Sequence, residues 1–212
     1  MGTSLYRKCV IQLNIINMAT VNLRKGQRVE LAKGISKLRI ELTWKPSRKI
    51  ESWDLDIMAI ELDEDQLLAQ DNPNRLVYYN NLQDPEKALA HSGDDRNGEG
   101  AGEEMKLDLS KVSPEVREVI FILNIFESMK NGQNFGEVKG TTLRIFYDNN
   151  TIPDLVYNLE EEDSHKTATV LRICSIYRSG GIWKFKAINE GVTGTLTSVL
   201  SNYGLGSNDN SI

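Results

Sequence analysis

Cysteine and histidine are nearly missing from this chain, with two residues of each among 212. Cys9 and Cys174 cannot build a disulfide framework or fill a zinc site, which suits a reduced, cytoplasmic compartment. Long apolar runs are also missing. No stretch reaches the roughly eighteen residues that a spanning helix needs, so direct membrane insertion is not expected. The segment after Arg7 and Lys8 is interrupted by Gln12 and Asn14 and lacks a small-residue cleavage site, which argues against a signal peptide. Positive charge is in deficit: the formal net charge of -5 speaks against a nucleic-acid partner, because a phosphate backbone calls for a basic footprint. No repeat of solenoid length is visible.

The remaining composition is that of one sizeable domain, 40% hydrophobic and 26% charged, able to bury a core without staples. Met18-Ala19-Thr20-Val21-Asn22-Leu23 reads as a fresh start. Residues 1–17 are therefore expected to be an extension outside the fold, 18–204 the domain, and 205–212 a flexible tail.

Period-two alternation dominates the pattern. Leu38, Ile40, Leu42 and Trp44 alternate with Lys37, Arg39, Glu41 and Thr43, and Trp183, Phe185 and Ala187 alternate with lysines. Residues 76–79, 143–147 and 170–177 are rich in strand formers. Val119 to Phe126 is almost unbroken apolar, as for a strand covered on both faces. Turn signals lie between these runs, at Asp71-Asn72-Pro73-Asn74, Asp148-Asn149-Asn150 and Ser179-Gly180-Gly181. Short helices are expected over Ser113–Glu118 and near Thr193–Tyr203, with a helical turn at Glu64–Gln70. The fold class predicted is all-β: an antiparallel β-sandwich with a few short helices.

The most unusual stretch runs from Gly93 to Glu104, with five carboxylates and four glycines in twelve residues. Like charges this close repel one another, and a hard divalent cation reverses that balance. Calcium takes six to eight oxygens from carboxylates, amides and backbone carbonyls, and glycines let the backbone turn inward to supply some of them. A solvated acidic hairpin tip and a metal loop both fit the composition. An EF-hand does not: counted from Asp95, its twelfth position is Lys106 instead of glutamate, and strand-like residues replace the flanking helices. A phosphate cradle would need donors and a lysine where this loop offers acids.

Trp53-Asp54-Leu55-Asp56 enters a strand through two carboxylates that alternation places on one face, continued by Met58 and Ile60. Asn80 and Asn81, after Tyr78-Tyr79, offer carbonyl oxygens or a turn. His91 sits beside Ser92, but adjacent residues rarely form a nucleophile–base pair, and no third member is marked. No enzyme signature stands.

Taken in order, these segments resemble the TerD family of tellurium-resistance and stress proteins over nearly all of the chain after Met18. The similarity is carried by Val21-Asn22-Leu23-Arg24-Lys25-Gly26-Gln27, Trp53-Asp54-Leu55-Asp56, Tyr79-Asn80-Asn81-Leu82, the loop from His91 to Gly100, Phe135-Gly136-Glu137-Val138, Tyr177-Arg178 and Gly181-Ile182-Trp183-Lys184-Phe185-Lys186-Ala187. The resemblance implies a β-sandwich that binds calcium through acids of the Asp-Leu-Asp strand and the glycine loop. The ligand candidates are Asp54, Asp56, Asn81, Asp94, Asp95, Asn97, Glu99, Glu103 and Glu104. It also implies protein partners: related family members and a membrane-embedded tellurium-resistance component, met at the inner membrane face. The loop departs from the family pattern at Asp95, Asn97 and Ala101 and is about two residues shorter before Leu107, which weakens its far end as a ligand source. The expected function is a non-enzymatic calcium-binding stress protein, a metal-ordered interaction module. A calcium-independent scaffold that docks partners on its acidic loop is the alternative.

Overall fold

Strands with an apolar residue at every second position need another apolar face to cover, and two six-stranded sheets supply it for each other. The computed structural model describes residues 19–46, 54–93, 102–159 and 162–205. Its strands are β1 (Val21–Leu23), β2 (Arg28–Glu30), β3 (Lys37–Pro46), β4 (Leu55–Leu62), β5 (Leu76–Val77) and β6 (Leu89–His91), followed by β7 (Glu103–Asp108), β8 (Glu118–Ile125), β9 (Val138–Tyr147), β10 (Leu155–Asn158), β11 (Val170–Ser179) and β12 (Ile182–Val192). One sheet runs β1-β10-β9-β3-β7-β6 and the other β2-β12-β11-β8-β4-β5. Pairing is antiparallel except between β1 and β10. This is the sandwich that the alternation predicts.

The unbroken apolar run is β8, and its two faces serve two cores. Val119, Phe121, Leu123 and Ile125 enter the main core between the sheets. Ile120 and Ile122 point the other way, into a second cluster. That cluster is covered by α2 (Leu196–Leu200) and the 3-10 turn Ser201–Tyr203, through Val199, Leu200 and Tyr203. Thr195 caps α2 by accepting from the Ser198 amide at 3.1 Å. Each large apolar side chain buried this way contributes about 1.5–3 kcal/mol. A helix is therefore present inside Thr193–Tyr203, as predicted.

Two local expectations give way to tertiary contacts. Over Ser113–Glu118 the chain makes a single turn, with the Val116 amide on the Ser113 carbonyl at 3.1 Å. The Arg117 amide then donates to Leu62 at 2.7 Å, so the sheet captures the segment and Glu118 already belongs to β8. At Glu64–Gln70 the Asp63 carboxylate accepts from the Asp65 and Leu67 amides, and Gln66 and Gln70 adopt positive φ. Regular helix is excluded there, and only the 3-10 turn Ala69–Asp71 remains. A short helix not expected from the pattern, α1 (Ser128–Asn131), follows β8. Leu205 packs on the second cluster. Among the described residues no helix is long and apolar enough to cross a membrane.

Candidate metal centre

Every residue of β4 is buried, its charged ones included. Leu55, Ile57 and Ala59 face the main core, while Met58, Ile60 and Leu62 face the second cluster. Alternation therefore puts Asp54 and Asp56 on the outer face with Met58, as the sequence predicts. Asp56 lies opposite Asn124 of β8 and is 4% exposed. It forms part of a groove of about 500 Å³ lined by Tyr78, Tyr79, Asn124 and Leu196, so this carboxylate is covered, not solvated at a rim. Asp54 is half-buried, and its carbonyl accepts from the Phe126 amide at 2.9 Å.

The acidic loop is the connection of the β6–β7 hairpin. Its neck is closed by the Ser92 amide on Glu104 at 2.9 Å and the Glu104 amide on Ser92 Oγ at 3.2 Å. Gly93 and Gly102 bound the loop tip, both at positive φ. Asp94, Asp95, Asn97 and Glu99 lie outside the described residues.

Glu103 and Glu104, neighbours in β7, face opposite ways. Glu104 is outward, 3.6 Å from Arg39 and 3.1 Å from Lys106. Glu103 is 1% exposed and crosses to the other sheet, where Oε2 accepts from the Ile57 amide, one residue beyond Asp56. Its Oε1 is buried without a hydrogen-bond partner among the described residues. His91 closes the same spot. Its Nδ1 accepts from the Gly93 amide at 2.9 Å, which leaves Nε2 as the proton-bearing nitrogen, buried and 3.8 Å from Glu103 Oε2. That is too long for a hydrogen bond. Asn81 is engaged elsewhere: its amide donates to the carbonyls of Asn74 and Leu76 at 3.0 and 2.7 Å, bracing the turn before β6. Asp54 and Asp56 thus share the outer face of β4, Glu103 reaches the Ile57 amide from the opposite sheet, and Glu104 points outward.

A second constellation has no counterpart in the sequence-based expectations. Arg75, fully buried ahead of β5, donates through Nη1 to Glu61 Oε2 at 2.7 Å and Glu86 Oε2 at 3.0 Å. Its Nη2 donates to Gln70 Oε1 at 2.8 Å and Glu86 Oε1 at 2.9 Å. Asp84, 3% exposed, joins them, its Oδ1 accepting from the Leu89 amide at 2.7 Å. Glu61, Asp84 and Glu86 each bring one oxygen within 4.8 Å of the others, a convergence that Asp54, Asp56, Glu103 and Glu104 do not reach among the described residues. The signal was present in the sequence: Glu61 occupies the inward parity of Leu55, Ile57 and Ala59, where an unpaired acid is costly.

Burial, and then the charge on Asp84, push the Glu61 carboxyl up to about 7, against the opposing Arg75. Burial likewise raises Asp84, although the Leu89 and Ala88 amides oppose it. Glu86 is lowered: its partial burial is outweighed by its bonds to Arg75. A carboxyl raised in the folded state binds more protons there than in the unfolded chain. Its contribution is fully present below the unfolded value near 4.5 and is lost as pH climbs towards 7. In chelator, stability is expected to fall between pH 4.5 and 7 by on the order of 3 kcal/mol from this group. Urea titrations at successive pH values check this, and Glu61→Gln should flatten the profile.

The chain belongs to the TerD family: the TerD domain profile matches residues 18–203. It is 34% identical over 192 residues to tellurium resistance protein TerD of Serratia marcescens, covering 88% of this chain and 98% of that protein. Over 193 residues it is 34% identical to general stress protein 16U of Bacillus subtilis, with coverages of 88% and 98%. The crystal structure of a homologue of telluride resistance protein TerD from Streptomyces coelicolor superposes with a TM-score of 0.59. That match has 23% identity and covers 79% of this chain and 96% of that one, a likeness of fold. This is a protein of the tellurium-resistance and stress-response family.

Proposed function

We propose that this protein binds calcium at the foot of the β6–β7 loop and acts as a metal-ordered, non-enzymatic interaction module in the stress response. The observation that carries the reading is Glu103. A carboxylate with 1% exposure and a bare oxygen needs a compensating charge, and the segment joining β6 to β7 adds further acids in sequence. The donors on offer are hard oxygens from Asp54, Asp56, Glu103 and the loop residues Asp94, Asp95, Asn97 and Glu99. That donor set suits calcium rather than a softer metal. Asn81 and Glu104 are the weaker candidates, the first committed to two carbonyls and the second to cationic neighbours. Bound calcium supplies the charge that lets the acidic loop settle against β4 and present one shape to a partner. The partners proposed are related family members and a membrane-embedded tellurium-resistance component, met at the cytoplasmic face of the inner membrane.

Calcium at a hundredfold excess over Kd is expected to stabilise the fold by about 2.7 kcal/mol. For a chain of this size that corresponds to a rise in Tm of roughly 5–10 °C. Glu103→Gln keeps an acceptor for the Ile57 amide and removes the charge, so it should remove the share of the rise that this site contributes. Superimposable melting curves in calcium and chelator would sink the reading and favour the calcium-independent scaffold.

A further inference from the structure

The Arg75 constellation carries a charge imbalance that its own hydrogen bonds do not remove. Three carboxylates converge where Glu61 and Glu86 bind one guanidinium, and two of the three, Glu61 and Asp84, are 0% and 3% exposed. Both terminal nitrogens of Arg75 are committed to Glu61 Oε2, to both oxygens of Glu86 and to Gln70. Asp84 Oδ1 is committed to Leu89. What remains are Glu61 Oε1 and Asp84 Oδ2, each buried and reached by no N–H donor, with the Asp84 carboxyl lying against that of Glu86. Buried carboxylate oxygens are ordinarily satisfied, and a bare pair in one cluster points to a ligand.

We propose that Glu61, Asp84 and Glu86 form a second cation site, separate from the β6–β7 loop, for a hard divalent cation such as calcium. The spacing fits. Oxygens bound to calcium at about 2.4 Å stand at most about 4.8 Å apart, and one oxygen from each of the three lies within 4.8 Å of the others. The charge fits too, since a divalent ion balances what three carboxylates leave over after Arg75. Arg75 then holds Glu61 and Glu86 in place through its hydrogen bonds to their carboxylates. Glu86, the partly exposed member at 33%, gives the ion its route in. The ligands come from the C-terminal part of β4, where Glu61 pairs with Val119, and from the Asp84–Leu89 turn ahead of β6. The site does not depend on the loop reading, because none of its residues is a loop ligand.

Titration calorimetry with calcium chloride on the metal-stripped full chain tests it. Asp84→Asn keeps the acceptor for Leu89, and Glu61→Gln keeps the acceptor for Arg75, so both should retain the wild-type circular dichroism. Each is expected to lower the stoichiometry by one site or to weaken one site at least tenfold. Glu103→Gln should leave this site intact, and so separates failure here from failure at the loop. Unchanged stoichiometry and affinity in both Asp84→Asn and Glu61→Gln overturns the proposal and assigns the excess charge to bound protons.

Discussion

Arg75→Met is expected to destabilise the protein by about 3–5 kcal/mol, the usual consequence of removing one partner from a buried ion pair. The guanidinium is wholly buried and serves Glu61, Glu86 and Gln70 together. Methionine fills much of the volume but leaves Glu61 and Asp84 with no cation. Urea unfolding at neutral pH should show the full loss, and Tm should drop by roughly 10–15 °C. Two controls separate charge from packing. Acidification towards pH 5 should recover part of the loss, because Glu61 then takes a proton. Combining Arg75→Met with Glu61→Leu should recover more, since an apolar pair of similar volume often matches a buried ion pair. A variant within about 1 kcal/mol of wild type would show that the ion network is not what holds this end of the sandwich.

The sandwich itself was legible because its strands obey a simple rule. The alternation of β3 and β12 and the two-faced run of β8 each imply a half-buried or fully buried strand, and the sheets place them so. The misread element, Ser113–Glu118, failed for a tertiary reason. Its Ser-Pro opening and acidic residues suit a helix start, yet the Arg117 amide finds a carbonyl on β4, and strand pairing wins. The site divides along the same line. That Asp54 and Asp56 share a face follows from period two, whereas the cover over Asp56 comes from Tyr78, Tyr79 and residues 194–197, remote in sequence.

Glu103 and Glu104 show the limit most clearly. They look equivalent in a run of acids, but β7 is a strand, so one enters the sandwich and the other joins Arg39 and Lys106 outside. The Arg75 network was least accessible, because it joins the end of β4, the residue before β5 and a turn before β6. Only the inward parity of Glu61 hinted that a buried charge required a partner.

Gly102→Ala is expected to cost about 3 kcal/mol, combining left-handed strain of about 1–2 kcal/mol with overpacking of about 1–3 kcal/mol. Gly102 sits at φ +77°, and a Cβ there would stand 1.8 Å from the Leu42 carbonyl oxygen. Leu42 cannot retreat: it pairs with Glu103 on one side and Leu143 on the other, in the interior of its sheet. Relief must therefore come from β7, whose first residue is Glu103. Moving that residue takes its carboxylate off the Ile57 amide, so calcium affinity should fall at least tenfold along with stability. Gly93→Ala, at the opposite foot of the loop, is the matched control. It also has positive φ, at +105°, but a Cβ there meets nothing within 4 Å. It should lose only the conformational strain of about 1–2 kcal/mol and keep most of its calcium affinity. Equal losses in the two variants would mean that the loop is not anchored by the close approach of Gly102 to β3.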